Sequence, residues 1–249
     1  MRTLAAVLVL LACAVDLCAA EDAACSVAAN LVHADFPLPR VATAIDHKHL
    51  AIAVVGSASS IVAGPAGMNA AYPIRLERML TSRLPGVAVK VVSYAKPRQT
   101  AAEMEKEFAG VLMDEKPSLV IWQTGTVDAI RGIDPEEFRL TLDEGVDTLQ
   151  GGGADVVFMN MQYSPRTESM IAANSYADVM RWVALQREVP LFDRLAVMRQ
   201  WYELGTFDLH AATKNTEMAE QVHACIGQLL ADLIIDAAKM TATQSGEVH

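Results

Sequence analysis

The sequence predicts an α/β fold: a three-layer α/β/α sandwich around a five-stranded, mainly parallel sheet. Three observations carry this expectation. Apolar runs rich in β-branched residues recur along the chain, and they are continuous, as expected of strands covered on both faces. Helix-period segments separate them, so that strand and helix alternate with the order required for right-handed parallel crossovers. The chain has 249 residues, 52% of them hydrophobic, which is enough to close one substantial core.

The first element in order is a leader. "MRTLAAVLVLLACAVDLCAA" has a basic Arg2, an apolar run from Leu4 to Val15 and a small-residue end before Glu21. The uncharged run ends at Asp16, short of the roughly 20 residues that span a bilayer. Residues 1–20 therefore read as a secretory signal cleaved after Ala20, which places the mature protein in the periplasm or outside the cell with no stable membrane insertion. A short helical arm follows over 21–48, interrupted by "FPLPR".

From residue 49 to 240 the pattern is that of a single domain. The strands are "LAIAVVG" (50–56), "VAVKVVS" (87–93), "SLVIWQTG" (118–125), "ADVVFMN" (154–160) and "VPLF" (189–192). Helix patterns run over 70–84, 100–113, 135–149, about 170–186 and 215–240. The clearest begins at Asp134, a capping residue followed by Pro135 and Glu137, and repeats Phe138, Leu142, Val146 and Leu149 on one face before "GGG" ends it. The last stretch, 241–249, is polar and reads as a disordered tail.

Lys and Arg number 20 against 30 Asp and Glu, a net charge of −10, and the leader removes one charge of each sign. A field of this sign repels nucleic acid and anionic lipid. Cys13 and Cys18 leave with the leader. Cys25 and Cys225 remain, and in an oxidising compartment they are expected to form one disulfide stapling the arm to the last helix. Their spacing fits no metal site, and no cofactor motif is present.

In a sheet of this kind, ligand sites form at the carboxyl ends of the strands. Here those ends are "GSASS", "SYAKPRQ", "QTGTVDA", "NMQYSPR" and "DRLAVMRQW". The first is a strand-glycine-hydroxyl elbow without the second glycine of a G-x-S-x-G nucleophile elbow. With "YPIRLERML", "PSLVIWQTGT", "ADVVFMNMQYSP" and the final helix, it makes nearly all of the mature chain resemble the SGNH (GDSL-like) hydrolases. The resemblance implies a flavodoxin-like sheet and an O-acyl esterase or deacylase ancestry, with a small-molecule, glycan or lipid ester as ligand.

The family's catalytic set does not carry over residue by residue. Gly56 and Ser57 match the first block, but the nucleophile's position falls on Ala58. Ala95 stands near the glycine whose N–H faces the oxyanion, beside Pro97. Gly125 matches the third block, whereas Val127 replaces its asparagine. In "FDLH", Phe207 replaces the acid of the D-x-x-H block, and Asp208 lies two residues before His210 instead of three.

The expectation is thus a divergent, ligand-binding member that has lost its triad. The alternative is an active esterase using Ser59 or Ser57 with His210, although one step along an elbow swings a side chain by roughly 100°. Asp128, Asn160, Gln162 and Tyr163 are candidates to bind ligand, the last three with Ser164 as a dense polar set beside an aromatic ring. Asp193 follows the fifth strand and is expected either to face the crevice or to pair with Arg194 or Arg199. His223 reads as a packing residue.

Overall fold

The computed structural model describes residues 25–62, 67–210 and 216–246; the expected leader lies outside them, as does the end of the tail. Five strands are present: β1 (His49–Gly56), β2 (Ala88–Ala95), β3 (Leu119–Gln123), β4 (Asp155–Met159) and β5 (Leu191–Phe192). They form one sheet in the order β2-β1-β3-β4-β5, and every pairing is parallel. The expected "mainly parallel" sheet is therefore wholly so. The order reverses at β1, and this switch point opens a crevice beyond the carboxyl ends of β1 and β3.

Among the described residues the helices are α1 (Pro39–Asp46), α2 (Gly67–Ala70), α3 (Tyr72–Arg83), α4 (Ala101–Glu105), α5 (Phe108–Glu115), α6 (Thr126–Arg131), α7 (Pro135–Gly151), α8 (Pro165–Met170), α9 (Ala173–Gln186), α10 (Arg194–Glu203) and α11 (Thr216–Gly246). One layer packs α3 on α11, with α1 beside it; the other packs α7 between α5 and α9. β1, β3 and β4 are buried almost throughout, which is why their sequences are continuously apolar.

Two boundaries differ from the sequence pattern. The helix expected over 100–113 is two helices. Thr100 and Glu103 form a capping box that starts α4, and the chain breaks at Lys106-Glu107, where the Glu107 carboxylate turns back to Lys96 and Gln99 (2.7 and 2.6 Å). The last helix continues past Met240 to Gly246, into the stretch expected as a tail. Elsewhere the local signals hold: the Asp134 side chain accepts from the Glu136 and Glu137 N–H groups at the start of α7.

The N-terminal arm is anchored twice. At the amino end of β4, Asp155 accepts from the Arg40 and Val41 N–H groups (2.8 and 3.0 Å), satisfying donors at the start of α1 that have no intrahelical partner. Cys25 is bonded to Cys225 on α11, across 200 residues of sequence, as expected. At the sheet's edge, Glu77 of α3 accepts from the Val91 N–H of β2 at 2.7 Å.

Candidate active-site crevice

The elbow is built around Gln123, the last residue of β3. Its Oε1 accepts from the Ser57 N–H (3.0 Å), the Ser57 hydroxyl (3.2 Å) and the Ser60 hydroxyl (3.0 Å). Gly56 makes this approach possible, because a Cβ there would stand 2.6 Å from Ser60 Oγ and 3.0 Å from Gln123 Oε1. Residues Ala58–Ser60 then form a single 3-10 turn. Ser57 and Ser60 are buried, Ser59 is half-buried, and Ala58 is exposed.

The proton assignments follow from this wiring. Ser60 has one hydrogen and directs it to Gln123, so the Tyr72 hydroxyl, 3.0 Å away, donates to Ser60. Ser57 likewise donates to Gln123, which leaves Ser59 to donate to Ser57 at 3.4 Å. Among the described residues, none of the three elbow hydroxyls is hydrogen-bonded to an imidazole.

Beneath the elbow lies a buried polar cluster. Arg194, the first residue of α10, is 1% exposed, donates from Nη1 to the Ser59 carbonyl (3.1 Å) and lies 5.9 Å from the Tyr72 ring centroid. No carboxylate pairs with it among the described residues, and burial pushes its pKa down to about 10. Burial lifts the Tyr72 phenol to about 12. His223 of α11 accepts the Tyr72 N–H at Nδ1 (3.0 Å) and stacks on the Tyr72 ring. Burial first, then Arg194 and Arg75, hold it down to about 3, so the imidazole is neutral.

The structure brings Ala95 into this site, in register opposite Gly56 at the end of β2, with the Lys96 N–H bonded to the Gly56 carbonyl (3.0 Å). Gly125 sits at φ +95° just past β3, where a Cβ would meet Met161 Sδ at 2.6 Å. Val127 lies half-buried on α6. Asp128 is buried; its carboxylate, with a pKa raised by burial, accepts the Ala101 N–H that opens α4 (2.9 Å).

His210 has other surroundings. It is exposed, meets the Tyr202 ring edge-on at 5.5 Å, and gives its backbone N–H to Asp208 (3.1 Å). The Asp208 carboxylate thus serves the backbone. Phe207 packs edge-on against Trp201, a buried anchor of the loop.

The polar set after β4 is largely committed to the fold. Asn160 is fully buried, donating to Asp193 (2.7 Å) and accepting from the Leu195 N–H (2.9 Å). Tyr163 lies between the Arg199 guanidinium and the Tyr202 ring, with centroid distances of 5.3 and 5.8 Å. Ser164 caps α8, and Gln162 is half-buried. The expected pairing of Asp193 with Arg194 or Arg199 is not found. Asp193 caps α10 and pairs with Arg181 (2.7 Å), while Arg199 reaches Glu168 (2.9 Å). Sequence did not single out Gln123, Ser60 or Tyr72, and it named Arg194 only as a partner for Asp193. Gln123 is one polar residue at the end of an apolar run, and Arg194 reads as an ordinary residue of a polar helix start.

The Non-GDSL lipase-like family matches residues 24–240. The chain belongs to this family. Among solved structures, it is similar to a catalytic mutant of an acetylxylan esterase from Geobacillus stearothermophilus, at 17% identity and a TM-score of 0.60 over 74% of this chain and 94% of that one. It is also similar to the psychrotrophic esterase EstA from Pseudoalteromonas sp. (16% identity, TM-score 0.54, 78% and 98% covered) and to TesA (21%, 0.53, 76% and 98%). A comparison with curated proteins finds no match. At these identities the structural likeness establishes the fold, and with the family match it bears out the resemblance to SGNH esterases.

Proposed function

We propose that this Non-GDSL lipase-like protein is an exported, non-catalytic ligand-binding member of the esterase lineage, holding a small-molecule, glycan or lipid ester in a crevice that no longer cleaves it. The observation that carries this reading is the wiring of the elbow. A methyl group, Ala58, occupies its exposed position, while the Ser57 and Ser60 hydroxyls donate to Gln123 and the Ser59 hydroxyl lies 3.4 Å from that of Ser57. A serine attacks only when a base takes its proton, and geometry comes before pKa in that requirement. His223, the imidazole beneath the elbow, uses Nδ1 on the Tyr72 backbone. Val127 and the buried Phe207 supply neither an oxyanion donor nor an orienting carboxylate.

Export is supported by the leader pattern and by the Cys25–Cys225 bridge, a kind of bond that persists in oxidising compartments. Among the described residues no helix is long and apolar enough to cross a membrane.

The test is hydrolysis of p-nitrophenyl acetate and butyrate by the purified protein and by its Ser59→Ala and Ala58→Ser variants. We expect background rates from the native chain and little gain from Ala58→Ser, because Val127 and Phe207 are unchanged. Turnover well above background, or a covalent adduct with an organophosphonate, would overturn the proposal in favour of an esterase working through Ser59 or Ser57 with His210.

A further inference from the structure

We infer that a second pocket, on the flank of the elbow and facing the edge of the sheet, binds the neutral alkyl or acyl portion of a ligand. The pocket is a cavity of about 240 Å³ bounded by the end of the 3-10 turn, by α2 and the first turn of α3, and by the middle of β2. Ile61, Met68, Ile74, Val91 and Val92 give it apolar walls, and the hydroxyls of Ser60 and Ser93 are the side-chain polar groups among its lining residues. Ser60 is already committed to Gln123 and Tyr72, which leaves Ser93 as the polar feature a ligand meets.

Chemistry and size together select the ligand class. Among the described residues no charged side chain lines the cavity, so an ionised group entering it would lose hydration without finding a partner there. Its volume exceeds that of an apolar cavity of about 150 Å³ known to stay dry and take up benzene, so it has room for a larger alkyl chain. Met68, 55% exposed, stands among the walls; an unbranched thioether side chain adapts to variable apolar shapes. The location also fits. The lining begins at Ser60, two residues after Ala58, so the pocket adjoins the turn that borders the crevice. This deepens the ligand-binding reading above and rests on it for the polar end, while the pocket itself is tested separately.

The experiment is a titration of the purified protein, labelled with ¹³C at its methionine methyls, with n-octanol and with octanoate. Met68→Leu identifies the Met68 signal. We expect a saturable octanol shift of that signal, weaker binding of octanoate, and at least a tenfold loss of octanol affinity when the cavity is filled by Ser93→Leu or by Ala71→Leu. The first of these alters a half-buried edge-strand position, so it tests the pocket even if Ala71→Leu fails to fold. No saturable shift, undiminished affinity in a folded, filled variant, or a preference for octanoate would overturn the inference. Hydrolysis of p-nitrophenyl butyrate in the same samples reports on the non-catalytic reading alone, so the two can fail independently.

Discussion

Gln123 shows how a single side chain can hold an elbow together. One carbonyl oxygen gathers three donors from β1 and the following turn, and the space for it depends on the absence of a side chain at residue 56. Gly56→Ala places a methyl against Ser60 Oγ and Gln123 Oε1. Overpacking of this sort costs typically about 1–3 kcal/mol, and urea denaturation should show a loss of that size; an unchanged midpoint would mean the cluster yields freely. Sequence drew attention to Ala58, Val127 and Phe207, because each departs from a motif of the family it resembles. It did not reveal Gln123 or Arg194, because their role depends on which strand ends meet, and no local pattern encodes that.

At the scale of elements, α11 and α3 share the buried Tyr72–His223 contact, and this ties their packing to pH. His223 is held near a pKa of 3 instead of its ordinary 6.5. Above 6.5 both folded and unfolded chains carry it neutral, and its full contribution to stability is present. Between 6.5 and 3 the unfolded chain takes up a proton that the folded chain refuses, so stability falls with pH by up to about 1.4 kcal/mol per unit. Burial raises Asp128 and Asp155, which act in the opposite sense, so the measurement is the difference between native protein and His223→Gln. The glutamine amide can still accept the Tyr72 N–H, and its variant should lose stability less steeply on acidification; parallel curves would refute the assignment. Helices with capping signals, such as α7 from Asp134, were legible in sequence. The split between α4 and α5 was not, because the apolar period continues through it, while at the break the Glu107 carboxylate reaches back to Lys96 and Gln99.

The whole molecule was legible to a large degree: five apolar runs gave the five strands, and parallel pairing followed from their continuity. Strand order and the two-layer assignment of helices are long-range facts that periodicity does not contain. The Cys25–Cys225 bridge closes a loop of 200 residues, for which the chain-entropy description gives about 5 kcal/mol and which native disulfides commonly deliver as about 2–5 kcal/mol. Intact mass with and without reductant should differ by the two bridge hydrogens, and the double variant Cys25→Ser, Cys225→Ser should unfold at correspondingly lower urea. Two free thiols in the unreduced protein would remove the bridge.

One contact at the rim has a consequence for how copies of this protein behave together. β2 is a terminal strand, and such strands offer bare amides on which a neighbouring chain can grow a continuous ribbon. With the Glu77 carboxylate seated on the Val91 amide, a newcomer must displace that oxygen to pair at this rung, so the contact works against edge-to-edge growth there.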